Sequence, residues 1–378
     1  MKNVFVKFQY HYEYRDAAAR RWRARGRKVI GYMCNAVPEE MIMAAGALPV
    51  RLAGTPGAPI DTMVGYVGST AYSEGFMATM LNGLVTGKYD YLDGLVLPET
   101  RHTEVTQYGH LEMIRSLWPE TELPPIHKID EPQSWSHTGE EYYYKQLGRF
   151  RDKLREWTGY SVSDRRLLDA IELCNESRRL LMEAQKLRVQ GKVTGTEMLT
   201  IIGSSWFMDK DEHNMALRLF LREAEDRPAK AAKPLYLDGS PLDNLQLYSL
   251  IEECGAVVVD EDNCWGMRSV EELVDTKRFA DPQEALAQRY HYRHPCPYLI
   301  YPLTARCEYC TKKLSGTTAK GVVIYADEND AAQHWDYAYK KDMLESCGLP
   351  VLPLLHEEYE LQDREALKKT VSDFIDRL

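Results

Sequence analysis

Residues 31–54 read GYMCNAVPEEMIMAAGALPVRLAG, and this stretch decides the fold. Lys28 to Met33 is a strand-like run that enters a turn holding Cys34, Asn35 and Pro38. Glu39 and Glu40 open a short helix that stops at Gly46, and Leu48 to Leu52 is extended again. Pro38 suits a first helical turn, where its missing N–H would have no partner. A strand, a helix and a strand at this spacing form a βαβ unit, which implies parallel pairing. Further along, LDGLVLP (92–98) is an unbroken apolar strand, as expected where helices cover both faces of a parallel sheet.

The alternation resumes at KPLYLDGS (233–240), followed by helix LDNLQLYSLIEECG and strand AVVVDED (256–262). Strands KGVVIYAD and LPVLPLL follow, each leading into a helix; the helix RCEYCTKKLSG precedes the first of them. Residues 139–226 carry helical patterns with little strand signal, and Ser163 or Asp164 is placed to cap the second of these helices. Helices are also expected over 5–25, stopped by Gly26, and over 68–84. The expected fold is α/β: two lobes with parallel sheets flanked by helices, plus a helical segment between them. The boundaries are 1–138 for the N-terminal lobe, 139–230 for the helical segment and 231–378 for the C-terminal lobe. A cleft between the lobes is the expected site.

A net charge of −10 over 378 residues gives no basic excess for a nucleic-acid partner. No 18-residue apolar run and no signal-peptide core occur, so a cytoplasmic protein without a membrane partner is expected. Eight scattered cysteines read as reduced thiols rather than a disulfide framework, and the 24 tyrosines as ordinary half-buried packing.

Cys307 and Cys310 form a lone CxxC on an expected helix, where i and i+3 share a face; packing and metal or redox work both remain open. Gly239-Ser240-Pro241 is a βα turn that could offer N–H groups to a phosphate or merely be tight. His213 in MDKDEHN sits among acids at an expected exposed helix start. No GxSxG, HExxH or Walker sequence occurs.

The opening stretch, with its VPEE turn leading into AAGALPV, resembles the N-terminal signature of the 2-hydroxyacyl-CoA dehydratase and benzoyl-CoA reductase family. Further matches follow in order: GKYDYLDGLVLP (87–98), LDAIELCNESRRLL (168–181), MDKDEHN, LIEECGAVVVDEDNCWG (250–266), RHPCP (293–297), GVVIYA (321–326) and LESCGLPVLPLLHE (344–357). The resemblance covers nearly the whole chain. It implies a heteromer of homologous subunits holding [4Fe–4S] clusters, a coenzyme A thioester as substrate, and an ATP-dependent activator protein that delivers an electron. Thiolates suit such clusters as soft, anionic ligands.

The family's three cluster cysteines fall, by spacing, near Glu74, Arg101 and Asp330, and no cysteine lies between Cys34 and Cys174. The resemblance therefore implies a cluster-less subunit that supports a [4Fe–4S]-bearing homologue and helps to form the CoA pocket. Its alternatives are a non-catalytic assembly subunit and a divergent, non-redox acyl-CoA lyase or hydratase using Glu74, Arg101 and Asp330. A relocated cluster on Cys264, Cys296, Cys307 or Cys310 is a further reading. Glu40 matches the family's glutamate at the opening turn and is the candidate general acid, with Glu39 a solvated helix-start charge and Cys34 a structural thiol. Arg51 and Arg101 are the candidate binders of CoA phosphate or an acyl carboxylate, in a cavity shared with Glu74 and Asp330.

Overall fold

Val29–Tyr32 (β1) and Leu48–Arg51 (β2) pair in parallel across the helix Glu39–Ala44, with Val29 opposite Leu48 and Tyr32 opposite Arg51. The computed structural model of the chain describes residues 4–69, 73–132, 134–293, 296, 298 and 302–378. Gly94–Pro98 (β3) lies on the other side of β1, and Ile126–Ile129 (β4) lies outside β3, giving the parallel order β2-β1-β3-β4. Lys233–Gly239 (β5), Ala256–Asp262 (β6), Gly321–Asp327 (β7) and Val351–Glu357 (β8) repeat the pattern as β6-β5-β7-β8. The two sheets thus share one winding. In each, the chain leaves the first strand in one direction and returns to its other side for the third. A crevice opens at such a reversal, beyond the carboxyl ends of the central strands.

β3, β6 and β7 are buried along their whole length, as strands covered on both faces must be, whereas β4 and β8 carry exposed positions as sheet edges. Four helices, His137–Thr158, Asp164–Val189, Gly195–Ser204 and Lys210–Glu225, lie between the sheets in chain order. Ser163 caps the second, its hydroxyl accepting from the Arg166 N–H. That helix ties the molecule together. Its Asn175 side chain bonds both the carbonyl and the N–H of Val274, and Arg188 bonds the Val258 carbonyl of β6 and pairs with Glu261. No helix among the described residues is long and apolar enough to cross a membrane, and all eight cysteines are free.

Three local expectations change. The helix expected over 5–25 is two, Phe5–Glu13 and Ala17–Ala24, broken at Tyr14 to Asp16. The helix expected over 68–84 is Gly75–Val85, with residues 70–72 outside those described. The helix His102–Leu117 and strand β4, for which neither an expected helix nor strand was drawn, complete the first sheet's cover and edge.

Candidate functional site

The carboxyl ends of both sheets meet at one cavity. Cys34 and Asn35 follow β1, Thr100 and Arg101 follow β3, Gly239 and Pro241 end β5, and Asp262 and Cys264 end β6. Arg268, Arg293, Cys296 and Tyr298 close it, leaving about 20 Å³, room for one water. Cys34 holds φ of 60°, a left-handed conformation unusual for a residue with a side chain and one that clusters at functional turns.

Glu74, Arg101 and Asp330 come together here from three separate segments. Each immediately precedes a helix: Gly75–Val85, His102–Leu117 and Ala331–Ser346 respectively. Three positive helix ends therefore focus on one place, an arrangement that favours anionic groups. The Arg101 guanidinium answers them with buried carboxylates, donating to Glu74 Oε1 at 2.9 Å and to Glu104 Oε1 at 2.8 Å. It also lies over the Tyr298 ring at 4.4 Å. Asp330 accepts from the Tyr298 and Ser240 hydroxyls at 2.6 Å each, and from the Gln333 N–H. Burial pushes the Glu74 carboxyl up to about 7 against the pull of Arg101, and its Oε2 has no hydrogen-bond partner.

A [4Fe–4S] cluster needs soft anionic donors in open coordination. At these three positions stand a guanidinium and two hard carboxylates, and every one of them is engaged by its neighbours. Three thiols do line the same cavity. Burial pushes those of Cys34, Cys264 and Cys296 up, and the Cys264 thiol already accepts from Arg51. Among the described residues no three Cys, His, Asp or Glu side chains converge as a metal site. A guanidinium and two carboxylates at these three positions do not fit the cluster.

The set considered for a relocated cluster is split. Cys264 and Cys296 line this cavity, whereas Cys310 is buried with Tyr236, Val322, Ile324 and Leu344 behind the second sheet. Cys307, one turn before Cys310, edges a separate surface hollow. The two thiols of the CxxC thus have different surroundings, Cys310 in the core and Cys307 at the surface.

Glu40 is not at this cavity. It is fully buried against the helical segment, where Arg178 donates to it at 2.5 Å and the Tyr290 hydroxyl at 2.9 Å. Burial alone would raise its pKa, but Arg178 and Arg289 outweigh burial and hold it below the ordinary carboxylate value. A carboxylate held ionised is a poor general acid, so the geometry reads Glu40 as half of a buried ion pair joining the opening turn to the helix Asp164–Val189. Glu39, expected in solvent, is mostly buried and pairs with Lys210 at 2.9 Å. His213, expected at an exposed helix start, is wholly buried; its ring bonds the Ile201 carbonyl, and burial lowers its pKa to about 3.

Arg51 is 2% exposed and has no carboxylate partner among the described residues. It lies between the rings of Trp206 and Trp265, at 4.5 and 4.0 Å, and donates to the carbonyl and thiol of Cys264. Arg51 thus backs the cavity wall without entering it. The Gly239-Ser240-Pro241 turn is tight: at Gly239 (φ 133°) a Cβ would fall 1.8 Å from the Tyr325 carbonyl oxygen, and Ser240 is engaged with Asp330 and the Asp327 N–H. Arg293, paired with Glu131 at 2.5 Å, and Arg268, paired with Asp262, were not singled out as site residues. Their only signals were the strings RHPCP and VDEDNCWG in which Arg293 and Asp262 stand.

The family model described as 2-hydroxyglutaryl-CoA dehydratase, D-component matches residues 34–378. The chain is 24% identical over 362 residues to the (R)-phenyllactyl-CoA dehydratase beta subunit of Clostridium sporogenes, covering 93% of this chain and 92% of that one. It is 26% identical to a benzoyl-CoA reductase subunit of Thauera aromatica, over 75% of this chain and 74% of that one. Identity to the beta subunit of (R)-2-hydroxyglutaryl-CoA dehydratase of Acidaminococcus fermentans is 26%, over 87% of each chain. With two identically wound sheets meeting at one cavity and a model match over most of its length, this chain belongs to the 2-hydroxyglutaryl-CoA dehydratase D-component family.

Proposed function

We propose that this chain is a subunit of a heteromeric enzyme acting on a coenzyme A thioester, by 2-hydroxyacyl dehydration or aryl reduction. In this reading it holds no [4Fe–4S] cluster itself and serves a homologous, cluster-bearing partner in the cytoplasm, with an ATP-dependent activator as the electron source. The observation that carries the reading is the Arg101 network, in which a fixed positive charge bound to Glu74 and Glu104 fills the place of soft ligands.

The test is anaerobic purification of this chain alone and with the homologous subunit that co-purifies, followed by iron and sulfide analysis. Iron should be absent from the isolated chain and present in the complex. About four irons per isolated chain, the content of one cluster, would overturn the proposal. A second reading, a non-redox acyl-CoA lyase or hydratase, is favoured by Glu74, whose near-neutral carboxyl has one oxygen unbonded beside Arg101. Turnover of a 2-hydroxyacyl-CoA by the isolated chain without reductant, lost in Glu74→Gln, would select that reading.

A further inference from the structure

Six of the nine residues from Arg20 to Lys28 are cationic, five of them arginine, in a chain whose net charge is −10. The break at Tyr14 to Asp16 turns Arg15 inward, where it donates to the carbonyls of Gly54 and Asp243 and fixes the pair of N-terminal helices to the body. The five arginines that follow are all exposed.

Part of this charge has an internal account. Arg21 and Arg23 stand in the last turn of Ala17–Ala24, where cations suit the negative end of the helix. Asp16, Asp90, Asp93 and Glu212 pair with Arg20, Arg21, Arg23 and Lys28. Arg25 and Arg27 lie past that turn, on either side of Gly26, and among the described residues neither pairs with a carboxylate. Arg27 instead lies 3.5 Å from the centre of the half-buried Trp22 ring, which holds its charge at the surface.

Beside the arginines runs an apolar stripe. Val6, Tyr10 and Tyr14, one turn apart along the first helix and its C-cap, are 57%, 47% and 52% exposed. The Tyr10 and Tyr14 rings pack together with centroids 5.1 Å apart. Lys7 and Arg21 both reach Glu212, at 3.4 and 3.9 Å, so the two helices' outer faces lie side by side. Exposed tyrosine together with arginine is the composition that protein–protein contacts select. A nucleic acid suits the run less well, because Asp16, Asp90 and Asp93 interrupt it and would oppose a continuous phosphate backbone. A second copy of the chain could meet this face only with some other, acidic face, a head-to-tail contact that builds rings or filaments. The run also precedes residue 34, where the match to the family model begins.

We propose that the N-terminal helix pair docks a different protein through an acidic patch on that partner. Carboxylates of the partner pair with Arg25 and Arg27, and apolar side chains between them cover Tyr10 and Tyr14. The surface is separate from the sheet-end cavity and does not depend on the cluster-less reading.

Fluorescence anisotropy of a labelled peptide of alternating glutamate and leucine, titrated with the full chain at rising salt, is the test. Labelled oligothymidylate and sedimentation of the chain alone are the comparisons. The peptide should bind more tightly than oligothymidylate. Arg25→Gln with Arg27→Gln should weaken it by about fivefold and flatten its salt dependence, as two exposed charge contacts are lost. Tyr10→Ser with Tyr14→Ser should weaken it by a similar factor and leave the salt dependence unchanged. All of these side chains are exposed, so the fold tolerates each change. Tighter binding of oligothymidylate, self-association of the chain that the arginine variant abolishes, or peptide affinity unchanged in the arginine variant overturns the proposal.

Discussion

Arg101→Ala removes the cation held between Glu74 and Glu104, whose side chains are 3% and 1% exposed. Two charge-assisted hydrogen bonds go, at about 1.5–3 kcal/mol each. Breaking a buried pair by deleting one partner costs about 3–5 kcal/mol, because the remaining charge stays uncompensated. The expected loss at pH 8 is therefore about 4 kcal/mol. It should depend on pH in a definite direction. Glu74 titrates at about 7 in the folded chain against an ordinary 4.5, so it binds its proton more tightly when folded. The stability it contributes is complete below pH 4.5 and is lost as the pH rises through 7. At about pH 5.5 Glu74 is already protonated in the parent, only Glu104 loses a counter-charge, and the deficit should fall to about half. Urea unfolding followed by tryptophan fluorescence at both pH values measures this. Arg101→Met combined with Glu74→Gln and Glu104→Gln should recover most of the loss, since no bare charge is left buried. A deficit below about 1 kcal/mol, or one equal at both pH values, would refute the reasoning, because a solvated pair behaves that way.

The other buried pairs and the thiols give two more outcomes. Arg178→Met should cost about 3–5 kcal/mol, while Arg178→Met with Glu40→Gln costs markedly less than the two single changes summed; simple additivity would show that Glu40 and Arg178 do not depend on each other. With a thiol-reactive disulfide reagent, exposed Cys347 should react first, and buried Cys174 and Cys310 only on unfolding; early labelling of Cys310 would contradict its place behind the second sheet.

The α/β class, the parallel strands β1 to β3 and β5 to β8, and the helical run between them were all legible along the chain. Those features rest on local patterns: apolar runs such as Gly94–Pro98, turn residues such as Pro38 and Gly46, and caps such as Ser163. The family's spacing also marked Glu74, Arg101 and Asp330, and the fold brings all three to one cavity. β4 escaped because IHKI mixes polar and apolar positions without a clear face and is fixed by pairing with β3. Which charges have partners is decided only in three dimensions. Glu39 and Glu40 are adjacent and look alike in sequence, yet one meets Lys210, 171 positions on, and the other meets Arg178, 138 positions on. The acids that end β6 are buried for the same reason: Lys313 and Arg188 reach Asp260 and Glu261 from distant segments, and Arg268, six residues on, folds back onto Asp262. The break that turns Arg15 inward likewise depends on the carbonyls of Gly54 and Asp243, which folding alone brings beside it. A charge is a local property of the chain, but its counter-charge, and with it the chemistry left over for a ligand, belongs to the packing.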